Sequence, residues 1–194
     1  ANQNVGLAFC RSINLDENDK ELGLWEPHGI DPGPWEVDFV AKGVDYCRQH
    51  LLTVNTIPNV SAVVFRKDVF VKAGKAPENM RLAGDWLIWL EMLLWADIAH
   101  VAEPLNYFRR SRQSVSVSAF VSSLRVRERY MVADFILKNF DIGLPLREEI
   151  LDKLMTDWST FAKSDRWWRL LCENSHIFLL AIKIDSKLLR RLGG

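Results

Sequence analysis

The sequence has no surplus charge: 25 Lys and Arg stand against 25 Asp and Glu across 194 residues. A dedicated nucleic-acid binder carries a basic field, so that class is set aside, and any phosphate ligand would have to meet a local cluster. Cysteine is sparse as well. Cys10, Cys47 and Cys172 are odd in number, far apart and without C-x-x-C spacing, which argues against a disulfide framework and a zinc site and points to a reducing compartment. The 4 His are scattered singly, so no metal site is read from them. The chain opens without Met and without a charged-then-apolar leader, so no signal peptide is expected. Its longest late apolar run, 177–184, falls well short of the ~20 residues that cross a bilayer.

What is present is a 48% hydrophobic chain, enough for one or two globular units with a real core. The 8 Trp fit core packing and also the flat platforms on which sugars stack. Residues 5–9 read as a strand buried on both faces, which needs neighbours and suggests a sheet belonging to a longer protein. Residues 16–20 read as a polar turn, 25–35 as a Pro- and Gly-rich surface loop, and 36–52 as an amphipathic helix carrying Val37, Val40, Val44, Cys47 and Leu51, interrupted by Gly43. A strand is expected at 62–65 after the polar Asn59 and Ser61, and a short helix over 67–75, ended by Gly74. A further strand at 98–102 is closed by Glu103-Pro104, and residues 105–108 stay extended into the basic segment Arg109, Arg110, Ser111, Arg112.

The chain is organised around residues 82–95. Gly84 permits a sharp turn, Asp85 is a preferred cap, and positions 86, 89, 90, 93 and 94 are apolar, so a buried helix starts at Asp85. Backbone N–H groups and the helix dipole keep a carboxylate there ionised, so Asp85 can serve as a base as well as a cap.

Three blocks in order then carry a resemblance: residues 55–66, then Gly84-Asp85-Trp86-Leu87 with Trp89, then Ala102-Glu103-Pro104-Leu105-Asn106-Tyr107-Phe108-Arg109. Together they resemble the acceptor-side, C-terminal half of family two inverting glycosyltransferases of the GT-A fold, over about residues 5–116. The resemblance implies an α/β fold, a short mixed sheet with flanking helices over 1–116; the apolar spacing beyond it is read as an all-helical extension over 117–194. It implies transfer of a sugar from a nucleotide-sugar donor to a hydroxyl of a saccharide or lipid-linked acceptor. Asp85 would be the general base, Trp86 would flank the acceptor, Asn59 and Ser61 would line the donor-sugar pocket, and Arg109 and Arg110 would meet the departing diphosphate. Arg112 is a third candidate there.

The sequence departs from that family in two places. The Asp-x-Asp motif that holds a divalent metal, Mn or Mg, is missing, so the metal belongs to a donor half preceding this chain and none is expected bound here. Where relatives carry a His near the diphosphate, this chain has Ser111. The isolated chain is therefore expected to be inactive. The implied location is cytoplasmic; Lys183, Lys187, Arg190 and Arg191 are read first as the basic exposed end of a core helix, with peripheral contact at the inner face of the membrane or a partner-helix surface as the alternatives. The sheet edge left bare is expected to be covered by the helical tail or by a second copy as a homodimer. Two other classes stand beside this reading: a noncatalytic helical interaction module, and a small hydrolase using Asp85, which lacks any Ser/His pair or phosphate loop to support it.

The helical extension is marked by Phe120, Leu124, Met131, Phe135 and Leu137, then by a turn over 141–145. A second stripe follows at Leu146, Ile150, Leu151, Leu154, Met155, Trp158 and Phe161.

Overall fold

The computed structural model describes residues 2–26, 34–111, 123–162 and 175–185 and shows a mixed α/β chain. It divides into two compact units: Ala1–Asn79 with Gly84–Ser114, and Met80–Ala83 with Val115–Gly194.

The first unit is built on β1 (Val5–Leu15), which runs six residues beyond the expected strand end at Phe9. Over the expected stretch Gly6, Leu7 and Phe9 are buried, and further along Ser12 and Asn14. The buried parity of β1 changes around Arg11, where its register against β5 (Asp97–Arg109) also slips, the extra residues lying on β5. One sheet face is thereby aromatic at one end and lined by amides and hydroxyls at the other.

Among the described residues the sheet has 5 strands. Parallel β5 lies beside β1, β3 (Phe39–Ala41) pairs antiparallel with β5, and β2 (Glu21–Leu24) and β4 (Val63–Phe65) share the other edge of β1. The turn at 16–20 forms as read. Asp16 Oδ1 accepts the N–H groups of Asn18 at 2.8 Å and Lys20 at 2.9 Å, and Asp19 takes a left-handed φ of 65°. Of the loop at 25–35, residues 27–33 lie outside the described residues.

The helix expected over 36–52 is corrected. Phe39–Ala41 pairs with residues 98–100 of β5, and this long-range pairing overrides the helical spacing of Val37 and Val40, both exposed. The helix α1 (Gly43–Tyr46) begins only at Gly43 and runs into a π-turn, Cys47–Leu51. Gly43 is thus a start rather than an interruption. A side chain there would overlap the carbonyl oxygens of Leu93 and Ala96, so glycine allows α1 to meet the end of α3 (Gly84–Leu93).

The short helix α2 (Lys67–Lys72) ends as expected, with Gly74 at φ 102°. β5 does not close at Glu103-Pro104. It continues to Arg109, and Pro104 is tolerated because beyond His100 the far edge of β5 has no strand partner among the described residues. There the Ala102 N–H donates to Asp38 Oδ1 at 2.8 Å.

In the second unit, α4 (Ser123–Asn139) and α5 (Leu144–Ala162) pack together, with α6 (Ser175–Ile184) against α4. The buried stripe of α4 is Val126, Tyr130, Val132, Ala133 and Ile136, whereas Leu124, Met131, Phe135 and Leu137, expected there, are only half-buried. On α5 the spacing holds, and Ile150, Leu151, Leu154 and Trp158 are buried. Asp157 ion-pairs with Arg125 at 3.1 Å and Arg129 at 2.7 Å, and Tyr130 meets Trp158 edge-on at 6.4 Å. No described helix is long and apolar enough to cross a membrane. Phe120, Lys187, Arg190 and Arg191 lie outside the described residues.

Candidate functional site

α3 starts at Gly84, so Asp85 stands in its first turn rather than ahead of it as a cap. The half-buried Asp85 accepts the Trp86 N–H on Oδ1 at 2.7 Å, and Asn55 Nδ2 faces its Oδ2 at 3.5 Å. The neighbouring Trp86 is buried in the core, and its indole N–H donates to the Leu51 carbonyl at 2.8 Å. That ring therefore fixes the start of α3 against residues 51–55 and offers no open platform to a sugar. The far end of α3 is seated by small residues: a side chain on Gly6 would overlap Ala96 Cβ, as one on Gly43 would overlap the Ala96 carbonyl.

Asn59 is buried and closes the 3₁₀ turn Val60–Ala62 through its Oδ1, which accepts the Ala62 N–H at 3.0 Å, the Ser61 hydroxyl at 2.6 Å and Asn106 Nδ2 at 3.2 Å. The Nδ2 groups of Asn59 and Asn106 both donate to Ser12 Oγ, at 3.1 and 2.8 Å. Ser61 is exposed at the rim of this cluster, and Ser12 is fully buried beneath it. Asn14 Oδ1, on the same strand, is buried without a hydrogen-bond partner among the described residues. The network itself is made of amides and hydroxyls and suits neutral hydroxylated groups.

The basic segment stands elsewhere. Arg109 sits at the hairpin end of β5, opposite Leu15, with its guanidinium held by Asp19 through Nε at 3.0 Å. Arg110 is exposed and donates its backbone N–H to the Leu15 carbonyl at 2.8 Å; Arg112 lies outside the described residues. The structure thus joins Asn59 to Ser61, and Asp85 to Trp86, through the single stretch 51–62, while Arg109 and Arg110 belong to the β1–β2 end of the sheet.

Four residues escaped sequence reasoning, three in the first unit and one in the helical unit. Ser12 lay beyond the expected strand end at Phe9, and Asn106, in the extended run 105–108, was given no role of its own. Asn55 was part of a recognised block without a role of its own. In the helical unit, Glu128 is 0% exposed, and its carboxylate accepts the consecutive N–H groups of Arg81 at 2.7 Å, Leu82 at 2.7 Å and Ala83 at 2.8 Å. These are the residues that run directly into Gly84 and Asp85. No spacing in the sequence announces a partnership between a helical Glu and backbone groups of a distant loop.

Burial shifts four titratable groups in or beside the sheet. The Tyr46 hydroxyl and the Cys47 thiol are each pushed up to about 12 by desolvation, which makes Cys47 an inert packing residue. Burial also lowers the pKa values of His50 and His100 below the usual 6.5. His100 sits between Phe9 at 4.6 Å and Phe39 at 5.0 Å and contacts the Trp35 carbonyl through Nε2 at 3.0 Å, so Nε2 carries the proton of the neutral ring. Among the described residues, no group of three or more His, Cys, Asp or Glu side chains is arranged to hold a metal ion.

No protein-family model matches this chain, and neither the curated proteins nor the solved structures yield a match.

Proposed function

We propose that the chain is the acceptor-side part of an inverting GT-A glycosyltransferase, with Asp85 as the general base. The observation that carries this reading is the half-buried Asp85 carboxylate in the first turn of α3, held by Trp86 N–H and faced by Asn55, within sequence blocks that resemble the family in order. In the step proposed, an acceptor hydroxyl attacks the anomeric carbon of a nucleotide-activated sugar. The new C–O bond forms as the bond to the diphosphate breaks, the diphosphate leaves with the electron pair, and the hydroxyl proton passes to Asp85.

The uncharged cluster of Ser12, Asn59, Ser61 and Asn106 is chemically suited to sugar hydroxyls. Arg109 and Arg110 are the cations available for a diphosphate, since charge-assisted Arg–phosphate bonds are strong, and Arg109 would exchange its exposed Asp19 partner to make one. The divalent Mn or Mg ion of such enzymes belongs to a donor half; the described residues here offer it no ligand set, and no step is assigned to it. The location proposed with this reading is the cytoplasmic face of a membrane.

Calorimetry with a panel of nucleotide sugars and manganese tests the proposal. A longer protein that supplies an Asp-x-Asp ahead of Val5 is expected to bind one of them, and this chain alone is expected not to. If the longer protein carries no such motif and binds none, a noncatalytic interaction module becomes the better reading.

A further inference from the structure

We infer that Asn55 is the residue that positions Asp85 for proton transfer, an inference that rests on the glycosyl-transfer reading. An amide has one accepting and one donating end, and the accepting end of Asn55 is already committed: Oδ1 takes the Ile57 N–H at 3.1 Å. The Nδ2 end must therefore face Asp85 Oδ2, where it lies at 3.5 Å. With Trp86 N–H on Oδ1 at 2.7 Å, the carboxylate is held from both sides, so its plane is set before any acceptor arrives.

Asn55 itself stands on a fixed backbone. Thr56 is 1% exposed and hydrogen-bonded to the Tyr46 hydroxyl at 3.1 Å, Ile57 is 1% exposed, and the Leu51 carbonyl holds the Trp86 indole. The turn needs only an acceptor at position 55 to take the Ile57 N–H. The second half of the amide, the donor aimed at Asp85, is surplus to the turn and is explained by the carboxylate it faces. An Asp at position 55 would still accept from Ile57, yet would set a like charge against Asp85, raising the pH at which Asp85 loses its proton.

The test uses this chain and the longer enzyme together. Carbon-detected NMR of the carboxyl groups follows Asp85 through a pH titration in the chain and its Asn55→Asp and Asn55→Ala variants. The Asp variant is expected to move the Asp85 midpoint up by about one pH unit or more, and the Ala variant to move it up by less, since it only removes a donor to the charged form. In the longer enzyme the acid limb of kcat should move by the same amount while the KM for donor holds, a signature that a merely structural turn residue would not produce. The Ala variant, which adds no charge, decides the matter should the Asp variant not fold. If both the midpoint and the acid limb stay where they are, Asn55 only closes the turn and the inference is overturned. Asp85→Asn separates the two ideas: abolished transfer beside an Asp85 midpoint that the Asn55 variants leave unmoved sinks only this inference, whereas normal transfer by Asp85→Asn sinks the base itself.

Discussion

Gly43 and Ala96 meet so closely that a methyl group on the glycine would overlap the alanine carbonyl oxygen, and the Leu93 carbonyl stands equally in the way. Both obstacles are backbone, so neither can swing aside. Gly43→Ala should cost about 3 kcal/mol, the upper end of ordinary overpacking, and should loosen the seat of α3. Urea unfolding followed by Trp fluorescence reads this directly. A loss under ~0.5 kcal/mol would mean that α1 shifts freely against α3.

The same contact explains where sequence reading stopped. Residues 36–52 carry a helical spacing, and Gly43 looks like a flaw in it. Its real purpose depends on Leu93 and Ala96, and Phe39 and Val40 become strand residues only because His100 and Ala99 lie beside them. Elements whose causes are local were legible: the Asp16 turn, the Gly74 stop, the start of α3 within one residue, and the α5 stripe. Of the site, Asp85 was legible from its helix start and Asn59 from its turn. Ser12 lay beyond the expected strand end; in the helical unit, and apart from that site, Glu128 was hidden by partners some 45 residues away.

The first unit should lose stability on acidification. The pKa values of His50 and His100 are lowered by burial, so the unfolded chain binds more protons than the folded one below pH 6.5. Their contribution is whole above 6.5 and is lost as pH falls toward the folded-state values. Urea midpoints between pH 8 and pH 5 should therefore decline, and His100→Phe, which keeps an aromatic between Phe9 and Phe39, should flatten part of the slope. An identical slope in that variant would show that His100 titrates as freely in the folded chain as in the unfolded one.

Glu128 should be among the most sensitive positions of the helical unit. Its carboxylate is the acceptor for the Arg81, Leu82 and Ala83 N–H groups, so Glu128→Ala strands one buried and two part-buried donors at a cost on the order of 3 kcal/mol. Glu128→Gln keeps one acceptor oxygen and should cost less. Amide exchange at residues 81–83 is the measurement: protection should fall sharply in the Ala variant. Unchanged protection would mean that those amides are held by something other than the carboxylate.

The central claim is that Asp85 takes a proton, and single-turnover transfer by Asp85→Asn in the longer enzyme, beside its melting curve, tests it most directly. Asn at 85 keeps the size but presents an amide to both Asn55 Nδ2 and Trp86 N–H, so one donor must face another, a mismatch of about 1 kcal/mol that shows as a small drop in Tm. Transfer should fall far more than this explains, by about two to four orders of magnitude, with donor binding unchanged. Near-normal transfer with a nearly unchanged Tm would leave Asp85 a structural residue at the start of α3 and contradict the assignment of a base.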